Sequence, residues 1–498
     1  MGDFVGRDHE IASLTRLLDQ VRGEIGTAKP GRCLLMRGRR RIGKSALTEE
    51  FVLRADVPAL FYVAAGASAD AELAQFRDDV ACSSLPGRAV MAEVAPTGWN
   101  GALQVLADAL PSGAPSVVVV DEVPYLMDRV EGFEGLLQRA WDRFLCRKPV
   151  LLILIGSDLS MMSALNSYAR PFHQRGTEMM IGPLNPAEIS SMLDLDAASA
   201  FDAALVSGGL PLICGEWPRG AAAGQYLEQA LSNPVSALLV SGERSLAAEF
   251  PTEVQARDVL RAIGSGERTF TSITRAAGGI NHTSLTRALD RLTAKGIVSA
   301  ELPVSLMPSR ERRYRITDPY LRFWLRFLEP HMAEIERRRG DITLSRIRSG
   351  WGAYRGRAIE PLVREALARL LPDDQLPAAP AVGGYWTRTN EVEIDLVGAD
   401  RAPVATTLVF VGSIKWHDRT AFDRHDEATL MRQRAQLTGD PVPLVAVSRS
   451  GVDSPAVDAR YGPDDLIRAW QPHGHGGTAS RPPSSLRPGS RQIPRASR

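Results

Sequence analysis

Lysine is nearly missing. Of 59 basic residues in this 498-residue chain only Lys29, Lys44, Lys148, Lys295 and Lys415 are lysine, and the rest are arginine. Each retained lysine therefore invites inspection. Cysteine is scarce as well: Cys33, Cys82, Cys146 and Cys214 are scattered and form no Cys-x-x-Cys pair. That spacing predicts neither a zinc site nor a disulfide framework. No sign of charge dominates, with 59 basic against 58 acidic residues and a net charge of +1. No global field thus drives the chain toward nucleic acid or a membrane. Long hydrophobic runs are absent too. The runs that occur, Val150 to Ile155 among them, fall far short of the roughly 20 residues that cross a bilayer. The first residues carry Asp3 and Asp8 and no apolar signal core. Together these lacks predict a reduced, cytoplasmic protein with no membrane partner.

What is present begins with a loop. Residues 38–45 read Gly38-Arg39-Arg40-Arg41-Ile42-Gly43-Lys44-Ser45, the Gly-x-x-x-x-Gly-Lys-Ser/Thr spacing of a phosphate-binding loop. It lies between an apolar strand signal, Cys33 to Met36, and a helix-forming run that starts at Ala46. A strand before and a helix after is the context such a loop requires. The glycines let successive backbone N–H groups turn toward one anion, and the following helix adds its positive end. Lys44 is expected to reach the β- and γ-phosphates of ATP, and Ser45 to hold Mg²⁺.

Four valines, Val117 to Val120, end in Asp121-Glu122. An all-apolar run suits a strand covered on both faces. Acids at its C-terminal end fall where open α/β sheets bind ligands. Asp121 is expected to share the metal with Ser45, and Glu122 to act as general base on water. A second apolar strand ends in Gly156-Ser157-Asp158, where Ser157 is placed to sense the γ-phosphate; a plain strand cap is the equally available reading. No guanine-reading Asn/Thr-Lys-x-Asp motif occurs, which favours adenine.

Residues 254–316 carry three short helical patterns and two strands, the signature of a winged helix-turn-helix. Val259, Leu260 and Ile263 share one face, and Leu285, Leu289 and Leu292 another. The third helix would expose His282, Thr283, Ser284, Thr286, Arg287, Arg291 and Lys295, groups that suit a DNA groove. DNA contact through residues 281–295 and a purely structural role both remain open. A wing at Met307 to Glu311 would bring Arg310, Arg312 and Arg313 toward phosphates. Beyond Gln471 the chain is rich in Pro, Gly, Ser and Arg and is expected to be a disordered basic tail.

Phe4-Val5-Gly6-Arg7, the phosphate loop, the Val-Asp-Glu strand and the Gly-Ser strand end resemble the archaeal-type ATPases, AAA-related relatives of the STAND NTPases. Gly209-Leu210-Pro211 matches the Gly-x-Pro signature of that group, which implies that Pro211 belongs to a helical lid beside the nucleotide. Pro171 to Arg175 is similar to the family's Pro-Leu-Tyr-Gly-Arg segment with a changed middle. The resemblance makes Arg175 the arginine that completes a site within or between subunits, so an oligomer is compatible with it. Asp318-Pro319-Tyr320-Leu321-Arg322-Phe323-Trp324 and Gly356 to Glu360 resemble the C-terminal domain of these ATPases, which looks like a restriction-endonuclease (PD-(D/E)xK) fold. That likeness implies a nuclease site of Glu360, Asp395 and Lys415. Here Ser413 replaces the second acid, two residues before the lysine. Glu391, Glu393 and Asp418 are the available substitutes, and a degenerate site is expected.

The expected architecture is α/β: a P-loop NTPase parallel sheet over residues 1–185, a helical lid over 186–250, a winged helix-turn-helix over 251–316, a small endonuclease-like domain over 317–470, and the tail, 471–498. The expected function is a Mg-ATP-driven molecular switch. Its phosphate loop, with Ala46 as the first residue beyond it, binds ATP. The rivals are a non-catalytic DNA-binding regulator and an ATP-regulated nuclease.

Overall fold

The computed structural model describes residues 4–157, 161, 162, 165, 167, 170–249 and 254–471. Asp158, the junction drawn at 250/251, and residues 472–498 of the expected tail lie outside them.

A five-stranded sheet organises the first part of the chain: β1 (Arg32–Arg37), β2 (Ala59–Val63), β3 (Ser116–Asp121), β4 (Val150–Gly156) and β5 (Thr177–Met180), in the order β2-β3-β4-β1-β5. Every pairing is parallel. The apolar runs of β3 and β4 are explained by two cores. Leu34, Met36, Val117, Val119, Leu151 and Ile153 face one that also contains the helices Asp8–Gly23 and Lys44–Ala55. Cys33, Leu35, Val118, Val120, Leu152 and Leu154 face the other, under the helices Ala69–Cys82, Trp99–Ala109 and Phe133–Arg143. Successive side chains of a strand alternate in direction, so a strand covered twice needs apolar residues at every position.

Helices Pro186–Leu193, Ala197–Ser207, Pro211–Cys214, Ala223–Ser232 and Ala237–Glu249 follow. Asn185 starts the first with a capping box: its Oδ1 accepts from the Glu188 N–H at 3.0 Å while Glu188 Oε2 accepts from the Asn185 N–H at 2.9 Å. Three further helices, Val254–Ser265, Phe270–Ala276 and His282–Ala294, lead into an antiparallel hairpin of β6 (Val298–Glu301) and β7 (Arg313–Ile316). Asn281 is the N-cap of the third helix, accepting from the Ser284 N–H at 2.9 Å. Leu285, Ala288, Leu289 and Leu292 are buried at helical spacing.

The remainder contains the helices Pro319–Phe323, Gly340–Ala358, Glu360–Leu370 and Arg424–Leu437 and a second five-stranded sheet, β8 (Ala381–Trp386), β9 (Glu393–Ala399), β10 (Leu408–Lys415), β11 (Leu444–Ser448) and β12 (Ala459–Tyr461). Its order is β12-β11-β10-β9-β8. β10, β11 and β12 are parallel, and β8, β9 and β10 antiparallel. Lys415 is the last residue of β10.

The expected wing is not free. The Val304 N–H donates to the Gly384 carbonyl at 2.9 Å, Ser305 bridges Val404, and the Trp386 indole donates to the Glu311 carbonyl at 2.7 Å. Arg313, expected to face phosphates, is buried and pairs with Glu393 at 2.6 Å. The hairpin connection is thus docked on the second sheet.

Candidate active site

The phosphate loop leaves β1 beside β4, with Arg37 in register with Gly156 and Val120 with Leu154. It therefore emerges at the same sheet edge as Asp121 and Ser157. Gly43 has φ +87°, a conformation that side chains with a Cβ rarely adopt. Lys44 is buried and curls back over its loop, its Nζ donating to the Gly38 carbonyl at 2.8 Å and the Arg39 carbonyl at 3.0 Å. Burial lowers the Lys44 pKa from the usual lysine value, while Glu122 and Asp121 oppose the shift.

Ser45 Oγ donates to Asp121 Oδ2 at 2.5 Å, and the other Asp121 oxygen accepts the Glu122 N–H at 2.7 Å. Glu122 sits in left-handed backbone, φ 53°, as N-cap of the helix Val123–Arg129. Its Oε2 accepts from Ser157 Oγ at 2.9 Å. Sequence reasoning overlooked Tyr125, whose hydroxyl accepts from Arg40 at 2.9 Å; Arg40 also donates to Ser157 Oγ at 3.4 Å. One connected polar set therefore contains Arg40, Ser45, Asp121, Glu122 and Ser157.

Arg7 is buried against the loop, donating to the Ile42 carbonyl at 3.1 Å and the Gly182 carbonyl at 2.7 Å. Pro211 approaches from the helix Pro211–Cys214: a Cβ on Gly43 would stand 3.4 Å from its ring. Gly209 is required just before it, because its φ is +68° and a Cβ there would meet the Leu184 carbonyl oxygen at 2.1 Å. The remaining loop arginines point away from the sheet. Arg39 donates to the Gly296 carbonyl at 2.6 Å and lies 3.4 Å from Asp318, and Arg41 lies 3.4 Å from Ser241 Oγ. Arg175 is elsewhere: it makes two 2.9 Å bonds to Asp142 and donates to the Pro171 and His173 carbonyls. The hydrogen bond to Asp142 raises its pKa.

In the second sheet, Glu360 opens the helix Glu360–Leu370 and Asp395 lies on β9. Arg364 joins them, donating to Glu360 Oε2 at 3.0 Å and to the Asp395 carbonyl at 3.0 Å. The Asp395 carboxylate accepts from Ser413 Oγ at 3.0 Å and the Ile414 N–H at 2.8 Å. Burial raises both acids above the usual carboxylate range. Lys415 pairs with Asp426 at 2.6 Å. Of the substitute acids, Glu393 is held by Arg313 and Arg268, and Asp418 by Arg355 and Arg449.

A parallel sheet with a phosphate loop after β1 and an acid closing β3 defines a P-loop NTPase. Residues 324–428 match a family described as archaeal and bacterial proteins of unknown function, DUF234. The chain is similar to an uncharacterized protein of Methanocaldococcus jannaschii, MJECL04, with 24% identity over 426 residues, covering 83% of this chain and 88% of the relative. Among solved structures it is similar to a Walker-type ATPase of Pyrococcus abyssi, at 19% identity and TM-score 0.46 over 65% of this chain and 96% of that one. An ORC2 protein of Aeropyrum pernix gives 15% identity and TM-score 0.46 over 70% and 96%. The likeness to archaeal-type P-loop ATPases drawn from the sequence is borne out at the level of the core and the DUF234 match.

Proposed function

We propose that this P-loop NTPase is an ATP-hydrolysing switch whose lid and C-terminal modules follow the state of the phosphate loop. The observation that carries the reading is the connected set Ser45–Asp121–Glu122–Ser157 at the mouth of the loop. Ser45 and Asp121 offer a hydroxyl and a carboxylate to Mg²⁺, which supplies neutralisation of charge on the β- and γ-phosphate oxygens. Lys44 exchanges the Gly38 and Arg39 carbonyls for those phosphates. Glu122 accepts a proton from water as its oxygen forms a bond to the γ-phosphorus. The bond from that phosphorus to the bridging oxygen breaks, and ADP leaves. Ser157 fixes the Glu122 carboxylate for this task.

Coupling is supported by Arg39, which connects the loop to Gly296, Thr317 and Asp318. We read residues 254–316 as a winged helix whose wing has been given to contact with the second sheet, leaving the polar face of His282–Ala294 for DNA. The test is Glu122→Gln. The amide cannot take the proton, so ATP turnover falls about 10²–10⁴-fold while equilibrium ATP binding is kept. Turnover at the wild-type rate would remove Glu122 from the chemistry.

A further inference from the structure

Between the hairpin and the second sheet lies a cavity of about 40 Å³ walled by Arg268, Arg313, Arg315, Arg322, Arg357 and Arg364. Six guanidinium groups in one small wall is a dense concentration of positive charge, and their carboxylates do not balance them. Glu393 serves both Arg313 and Arg268, at 2.6 and 3.2 Å. Glu301 serves Arg315 and, at 3.7 Å, Arg364. Glu360 is held by Arg364 at 3.0 Å. With Asp395 counted as well, the arginines still exceed the acids by two. The surplus has an address. Neither Arg322 nor Arg357 has an ion-pair partner among the described residues. Arg322 donates only to the Arg357 carbonyl, at 3.3 Å, and lies over the Tyr354 ring at 5.7 Å. Arg322 is half-buried, and burial disfavours its charge, so an arriving anion would meet a guanidinium partly withdrawn from water. Desolvated cations bind oxyanions more strongly than solvated ones, because the competing solvent and the screening are reduced.

The cavity does not end in the protein. Arg313, Tyr314 and Trp386 also line an adjoining groove of about 420 Å³ that carries Arg310, Arg312 and Arg388. The guanidinium of Arg313 stands 4.5 Å from the Trp386 ring centroid at this junction. A small cationic pocket opening into a larger basic groove suits a ligand with a terminal phosphate and a body beyond it. Arginine is the residue for such recognition, since its planar fork matches phosphate oxygens.

We infer that the Arg322–Arg357 cavity is a binding site for a phosphate group, carried either by a small phosphorylated molecule or by the end of a single-stranded nucleic acid. The geometry also explains Arg364. Its guanidinium stands at the Glu360 carboxylate, where the endonuclease likeness calls for a metal, so this part of the domain is built to attract phosphate and not to hold a cation.

The test uses the full chain carrying Lys44→Ala, which silences the phosphate loop and makes the result independent of ATP chemistry. Inorganic pyrophosphate and an eight-residue thymidine strand, with and without a 5′-phosphate, are titrated calorimetrically at low salt. Saturable binding of at least one probe is expected, weakened at least tenfold by Arg322→Gln. Arg357→Gln, at the exposed rim, weakens the same probe and carries the test alone if Arg322→Gln does not fold. Binding of pyrophosphate identifies the small-molecule source. Binding of the strand alone, dependent on its 5′-phosphate, identifies nucleic acid. Absence of saturable binding, or binding unchanged in the folded variants, overturns the inference.

Discussion

Lys44 shows how a single side chain can be held ready for a ligand. Its Nζ is bonded to two carbonyls of its own loop, which satisfies a buried cation; on the proposed function, phosphate oxygens would replace them. Lys44→Ala removes that cation, and equilibrium binding of an ATP analogue should fall below detection; retained affinity would separate the loop from nucleotide. The acids of the second sheet make the opposite case. Glu360 is occupied by Arg364, Asp395 by Ser413 and the Ile414 N–H, and Lys415 by Asp426. Mg²⁺ is costly to dehydrate and is ordinarily held by one or two carboxylates together with substrate phosphates. The wild-type protein should therefore show no Mg²⁺-dependent cleavage of DNA or RNA. Cleavage that vanishes in Asp395→Ala would make this an ATP-regulated nuclease. Arg364 stands four residues after Glu360 on one helix, a pairing that sequence spacing can announce; nothing local announces Asp426 as the partner of Lys415, since it lies outside the acid–lysine spacing.

At the scale of elements, what was legible is what short-range chemistry determines. The valines of β3 declare a strand covered on both faces, and the leucines of His282–Ala294 declare a buried stripe at helical spacing. The docked hairpin was illegible, because Val304 and Ser305 find their partners at Gly384 and Val404, which are remote in sequence. The same holds for Arg313, whose spacing suggests a wing contact but whose partner, Glu393, lies on β9. With the wing engaged, the exposed face of His282–Ala294 is left to carry any DNA contact. Replacing Arg287 and Arg291 by alanine should weaken DNA retention and flatten its salt dependence by about two units, one per lost phosphate contact. Retention with an unchanged slope would make this helix structural.

Across the whole molecule, among the charged contacts that join distant parts of the chain, two respond differently to perturbation. Glu393, with Arg313 and Arg268, fastens the hairpin to the second sheet. Burial raises its pKa, but the two arginines outweigh burial and leave it below the usual glutamate value. A lowered folded pKa means that its contribution is present above the unfolded value and lost as pH falls through the folded one. Thermal stability should therefore decline with acidification through the carboxylate range, and Glu393→Gln should flatten that decline; an unaltered pH profile would remove Glu393 from this role. The second contact centres on Asp202 in the helix Ala197–Ser207, part of the proposed lid. It meets Arg355 and Arg449, each at 3.1 Å, while Asp418 meets the same two arginines, each at 2.9 Å. Asp202, Arg355 and Arg449 are largely enclosed, whereas Asp418 is mostly exposed. Removing Asp202 leaves two enclosed cations with one solvated partner. Breaking a buried pair typically costs about 3–5 kcal/mol, and the surviving Asp418 should hold the loss near about 3 kcal/mol. Asp202→Ala should accordingly lower the urea midpoint, and Asp418→Ala should lower it less. If lid motion is transmitted through this contact, Asp202→Ala also removes the ATP-dependent change in protease sensitivity of residues 340–470. Preservation of that change in a folded Asp202→Ala protein would leave Arg39 as the route from the phosphate loop to the C-terminal modules.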